Sequence, residues 1–307
     1  MGRQYSGTLG RTDNCQIGVF IGYATHHGHT LVDCRLYLPE AWFDEKSADR
    51  RRRAGVPSEL AFKTKHALGA EMLGGISRRG ELPYQWVTAD AAYGDSHEMR
   101  RLVAEQGKWY CFEVNRKAEV WTATPDWQVP AQARGRGRPR TRPHPTADSP
   151  EAVTVAEALR ALPPEAWLRH RVTDGAKGPR EYEFARIRVI EKRGGDPGPT
   201  SWLMGRRPVG SGPTGPEAEV KYYLSNASES IALTELAWVG CLRWTVEENF
   251  ELAKGEVGLD HYEVTKYRGW YHHMTMALLA LAFLKSVQFQ WGKKWGRGFG
   301  ARGSSAA

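Results

Sequence analysis

Arg243, Glu247 and Lys254 are spaced i, i+4 and i+11. At about 100° per residue around a helix these positions fall within roughly 40° of one another, so they share one face. Leu242, Val246, Phe250, Ala253 and Val257 form a neighbouring apolar stripe, which predicts that Glu247 stands at the edge of the core, partly shielded. A carboxylate held there suits a hard divalent cation, which prefers oxygen ligands. The same spacing also describes a surface ion pair between Arg243 and Glu247, worth about 0.3 kcal/mol. Glu248 points about 100° away and ranks behind Glu247 as a ligand. A second carboxylate, Asp90, ends the apolar and β-branched run from Tyr84 and precedes Ala91-Ala92-Tyr93-Gly94-Asp95. An Asp at a strand end is also a common turn former, and Asp95 reads as the cap of the helix that follows.

Other groups that ligate metals or act as nucleophiles are less well arranged. His26, His27 and His29 lie in a turn and His272 and His273 beside a Trp-Tyr pair, positions typical of surface or satisfied core imidazoles. Cys15, Cys34, Cys111 and Cys241 lie far apart, which argues against a zinc site and a disulfide scaffold and fits a reducing cytoplasm.

The elements that position these residues follow from patterning. Gln16 to Tyr23 and Thr30 to Leu38 read as a strand hairpin, and Ser58 to Ile76 as a helix that Ser58 caps. From about Trp109 to Tyr223 short aromatic and β-branched runs, such as WYCFEV and YEFARIRVI, alternate with Pro and Gly clusters, which predicts a β-rich insertion. The last third is helical, with Ser230 capping a segment through Lys254 and a second helix from Trp270 to Phe289. The longest apolar stretch, Met274 to Leu284, is too short to span a bilayer, and the N-terminus has no secretory pattern. With 43 Lys and Arg against 35 Asp and Glu, the formal charge is +8, which suits a polyanionic partner as well as a generic basic surface.

The stretch RWTVEENFELAKGEVGLDHYEV, followed by YRGWYHHMTMALLALAFL, resembles the C-terminal part of bacterial insertion-sequence DDE transposases of the Tyr-Arg-Glu-Lys signature group. The resemblance implies an α/β, ribonuclease-H-like mixed sheet with flanking helices, interrupted by a β-rich insertion before the last catalytic helix. It divides the chain into residues 1–108, the first part of the catalytic core; 109–229, the insertion, with an Arg/Gly/Pro loop at 131–150; 230–290, the C-terminal helical part; and 291–307, a disordered basic tail. It implies that Glu247 is the last acid of the triad, that Arg243 and Lys254 handle DNA phosphates, and that Asp90 is the second acid. The tyrosine of the signature corresponds to Gly240. Two Mg2+ ions, or Mn2+ as a substitute, would clamp the attacking and leaving oxygens of an in-line displacement at phosphorus. The opening GRQYSGTLGRTDNCQIGVF resembles the family segment that follows the first catalytic strand. The first acid is therefore expected to be missing, with Asp13 and Asp33 poor substitutes. The chain as written is then expected not to cleave DNA, and the strand carrying Asp90 to lack a neighbour.

The run Arg134-Gly-Arg136-Gly-Arg138-Pro-Arg140 resembles the AT-hook that enters a narrow minor groove, and reads equally as a solvated linker. Arg50 to Arg53 read as phosphate contacts or as a solvated helix end. Three functions remain: a transposase acting on double-stranded DNA as a homodimer, cytoplasmic and nucleoid-associated with no membrane; a non-catalytic DNA-binding remnant or regulator of transposition; and a ribonuclease-H-like nuclease unrelated to transposition.

Overall fold

A computed structural model describes residues 2–6, 10–129, 143–175, 178–210 and 220–295. Along the chain run β1 (Gly2–Ser6), β2 (Arg11–Cys15), β3 (Ile17–Thr25), β4 (Gly28–Tyr37), α1 (Ala48–Ala54), α2 (Lys65–Arg79) and β5 (Trp86–Ala89). Next come α3 (Ala91–Gly94), α4 (His97–Glu105), β6 (Trp109–Val114), β7 (Glu119–Trp121), β8 (Trp127–Gln128), β9 (His144–Pro145), β10 (Val153–Thr154) and α5 (Val155–Arg160). The chain closes with β11 (Leu168–Gly175), β12 (Gly178–Arg193), β13 (Asp196–Pro208), β14 (Lys221–Ser225), α6 (Leu233–Cys241), α7 (Trp244–Val257) and α8 (Tyr267–Trp295).

These elements form two compact units, one of Met1–Pro83 with Leu242–Ala307, the other of Tyr84–Cys241. In the first, β3 and β4 make an antiparallel hairpin in the register Ile17↔Tyr37 to Thr25↔Gly28. Its apolar face carries Leu31, Cys34 and Leu36, which join Ala253 of α7 and Trp270, Met274, Ala277 and Leu281 of α8 in one core. The α8 residues recur every three to four positions, the helical period that turns one stripe inward.

In the second unit the sheet order is β10-β7-β12-β13-β14-β6-β5, with β11 added on β12. Its pairings are antiparallel except for β5 with β6, which is parallel. Among the described strands β5 is terminal, bonded to β6 alone. Tyr110, Phe112, Phe184, Leu203, Met204 and Leu224 are buried within this sheet. The result is an α/β protein with a mixed sheet and flanking helices, compatible with a ribonuclease-H-like core, and with β-rich structure between β6 and α6.

Three local expectations are corrected. The helix expected from Ser58 begins at Lys65, because Thr64 provides the cap by accepting from Ala67 N at 3.1 Å; the preceding residues form a turn in which Leu60 N donates to Pro57 O. The segment from Ser230 to Lys254 is two helices, α6 and α7. Between them Thr245 N and Oγ1 both donate to Leu242 O, a tight local bonding that interrupts the α-helical ladder. Ser230 caps neither; its Oγ lies 2.9 Å from Ser228 Oγ.

Candidate functional site

Asp90 follows β5 in extended conformation (φ −76°, ψ 176°) as the N-cap of α3. Its Oδ1 accepts from Tyr93 N at 3.4 Å, and its carbonyl accepts from Gly94 N at 2.7 Å. Oδ2 lies outside this cap. Burial pushes the Tyr93 phenol up to about 12, and the neighbouring Asp90 charge adds to the shift, so the hydroxyl stays protonated at neutral pH. The next residue explains how close α3 lies to the sheet: a Cβ on Gly94 would stand 1.9 Å from Glu113 O on β6. Only glycine allows that approach.

Behind this turn lies a buried polar cluster that patterning did not reveal. Arg100 of α4 donates to Gly94 O, and its Nε donates to Glu191 Oε2 at 3.1 Å. Glu191 on β12 is fully buried. Its carboxylate also accepts from Arg193 Nε at 2.9 Å, from Ser201 Oγ at 2.7 Å and from the Tyr110 hydroxyl. Burial pushes this carboxyl upward, but the two guanidiniums and the two hydroxyls prevail and hold it below the usual carboxylate range. Every oxygen is satisfied, the condition under which a buried charge is tolerated. The sequence gives no sign of it, because Glu191 is one of several charged residues along β12, with Glu181, Glu183, Arg186 and Arg188. Asp95, expected to cap α4, does not; Ser96 does, accepting from Met99 N, while Asp95 Oδ1 accepts from Asn115 N at 2.8 Å and ties the turn to the end of β6.

In the other unit, α7 carries Glu247 on its exposed side. The side chain is 58% exposed, with Oε1 2.6 Å from Arg243 Nη2. The expected shielding at the core edge is thus not found, because the inward face of the first two turns is taken by the buried Thr245 and Asn249. Ala253 and the partly buried Phe250 and Val257 do form the inward stripe. Lys254 is half-buried on the same helix. Glu248 turns towards the hairpin, its Oε2 2.9 Å from His29 Nε2, and Asn249 Oδ1 lies 2.8 Å from His29 Nδ1. His29, read from sequence as a turn residue, is therefore wedged against α7, its ring edge-on to Trp244 at 6.0 Å.

The remaining candidates are engaged elsewhere. Asp13 pairs with Arg11 at 3.1 Å; Asp33 pairs with Arg35 at 2.6 Å and accepts from Cys34 N. His273 Nε2 lies 3.1 Å from Gly258 O. All four cysteines are free thiols. Arg136, Arg138 and Arg140 lie outside the described residues. Among the described residues no group of three His, Cys, Asp or Glu side chains is placed to hold a metal ion, and no described helix is long and apolar enough to cross a membrane.

Asp90 and Glu247 each present a carboxylate oxygen outside its intramolecular bond, the donor chemistry a divalent cation takes. They belong to different units. Gly240, where the signature has tyrosine, lies on α6, and a Cβ there would meet Met204 Cε at 2.8 Å and Cys111 Sγ at 3.5 Å.

Residues 1–179 match the family model described as DDE superfamily endonuclease. A search of curated proteins gave no match.

Proposed function

The chain belongs to the DDE superfamily endonuclease family, which matches more than half its length, and we propose that it is the transposase of a bacterial insertion sequence. In this reading it cuts and joins strands of double-stranded DNA by in-line displacement at phosphorus, as a homodimer on paired ends. The observation that carries it is Asp90, which lies within the matched residues and closes a parallel strand at a glycine-dependent turn. Asp90 and Glu247 would hold Mg2+ or Mn2+, which supplies charge neutralisation at the attacking and leaving oxygens. Arg243 and Lys254 would meet phosphates, Arg243 also fixing the Glu247 rotamer through their 2.6 Å contact. Arg136, Arg138 and Arg140 would add minor-groove contacts. A DDE site takes three acids, and the pairings of Asp13 and Asp33 assign neither as the remaining one.

The exposed Arg243–Glu247 pair also supports a second reading, a chain that binds DNA without cutting it. A plasmid bearing the element's ends separates the two. Metal-dependent nicking that Asp90→Ala and Glu247→Ala each abolish supports the transposase. Salt-sensitive binding without nicking supports the second reading, and nicking unimpaired by either alanine overturns the assigned acids.

A further inference from the structure

The first unit contains a cavity of about 430 Å³ that is lined by neither Asp90 nor Glu247. That volume is within the range of small-ligand pockets, about 300–1,000 Å³. Its walls include Phe43, Tyr267 and Tyr271, with Arg35, Lys63 and Glu71 among the polar lining residues. The tyrosines are neighbours on α8, their ring centroids 4.9 Å apart. The Tyr271 hydroxyl accepts from Leu36 N at 3.3 Å, which holds the ring against β4. Arg35 is anchored by Asp33 Oδ1 at 2.6 Å and Cys34 O at 2.8 Å, and Lys63 reaches Glu71 at 2.5 Å. Beside the cavity is α1, with four consecutive arginines, Arg50 to Arg53. The Arg51 guanidinium lies 5.9 Å from the Phe43 ring centroid and donates to Asp44 O at 2.9 Å, so the basic helix and the aromatic wall are held together.

Resting on the reading that this chain handles DNA, we propose that the cavity receives one unstacked nucleobase of the bound strand while α1 holds the phosphates beside it. An aliphatic ligand would leave the charged lining groups facing apolar carbon, at a desolvation cost. A base instead offers a flat face to the aromatic rings and an edge of mixed donors and acceptors to Arg35, Lys63 and Glu71. Its phosphodiester is anionic, which matches the arginines of α1. Aromatic stacking of this kind tolerates any base, so the site selects for an extrahelical nucleotide and not for a sequence.

The test uses the full chain and two short duplexes, one fully paired and one with a single unpaired 5-iodouridine nucleotide. The bulged duplex is expected to bind about tenfold more tightly. Its photo-crosslink is expected on Phe43, Tyr267 or Tyr271. Ala61, an exposed residue of the cavity lining, gives the blocking variant: Ala61→Trp is expected to remove the preference for the bulge and leave paired-duplex binding unchanged. Crosslinks confined to residues away from the cavity, or an Ala61→Trp variant that keeps the preference, would overturn the pocket and leave the DNA-handling reading standing. Failure of the parent chain to bind either duplex would overturn both.

Discussion

Gly94→Ala tests whether the turn after Asp90 owes its geometry to a close backbone approach. The new methyl would lie 1.9 Å from Glu113 O and 3.1 Å from Phe112 Cβ, whereas carbon and oxygen ordinarily approach no closer than about 3.3 Å. Either α3 or β6 must therefore shift by more than about 1 Å. Overpacking against backbone costs about 3 kcal/mol, and the helix propensity of alanine over glycine returns about 1 kcal/mol. The net loss is about 2 kcal/mol, a melting temperature roughly 4–8 °C lower for a unit of this size. Calorimetry of the full chain reads this directly. Gly75→Ala is the control, since its methyl would meet only Arg79 Nη1 at 3.4 Å; that variant is expected to gain about 1 kcal/mol. The two substitutions thus shift stability in opposite directions. A Gly94→Ala chain that melts at or above the parent would refute the close-approach argument. On the proposed function the same displacement moves Asp90 and lowers metal-dependent nicking by about 100-fold.

Glu191→Gln leaves Arg100 and Arg193 without their carboxylate and is expected to cost about 3–5 kcal/mol, measured by urea unfolding. The Glu191 carboxyl is held below its ordinary value in the folded chain, so its contribution is complete above the ordinary carboxylate range and lost as pH falls through the folded value. The variant should accordingly show a flatter acid limb of stability. Gly240→Tyr is expected to destabilise by about 3 kcal/mol, because the helix face meets Met204, Cys111 and Tyr223 within 4 Å; a neutral effect would show that α6 can retreat from the sheet. Thiol titration of the native chain at neutral pH should label Cys15 alone. Cys34, Cys111 and Cys241 are buried, and burial, reinforced by Asp33 against the opposing Arg35, pushes the Cys34 thiol up to about 11. Fast labelling of any buried thiol would contradict this.

Periodicity makes some of this molecule legible in its sequence. The apolar runs between Ile17 and Tyr37 pair as a hairpin, Asp90 directly follows a strand, and Phe250, Ala253 and Val257 of the apolar stripe on α7 face the core. These are features written into neighbouring residues. What patterning missed depends on partners distant in sequence. His29 meets Glu248 and Asn249, some 220 residues away, and nothing in the His-His-Gly-His turn announces it. Glu191 looks like any other charge of β12, beside Lys192 and Arg193, until the fold brings it to Arg100, 91 residues earlier. The break between α6 and α7 carries no sequence mark, because it comes from a hydroxyl and an amide sharing one carbonyl, not from Pro or Gly. The exposure of Glu247 is hidden from the sequence for a related reason. Helical angle alone does not say which polar neighbour, here Asn249, takes the inward place.

Glu191 stands two residues before the end of β12, whose turn to β13 is made by Gly194 and Gly195 at φ 59° and 99°. From that turn a tether runs through the Glu191 carboxylate and the Arg100 guanidinium to the Gly94 carbonyl, four residues beyond Asp90. Three bonds, Glu191 to Arg100, Arg100 to Gly94 O and Gly94 N to Asp90 O, thus connect the β12–β13 turn with the end of β5.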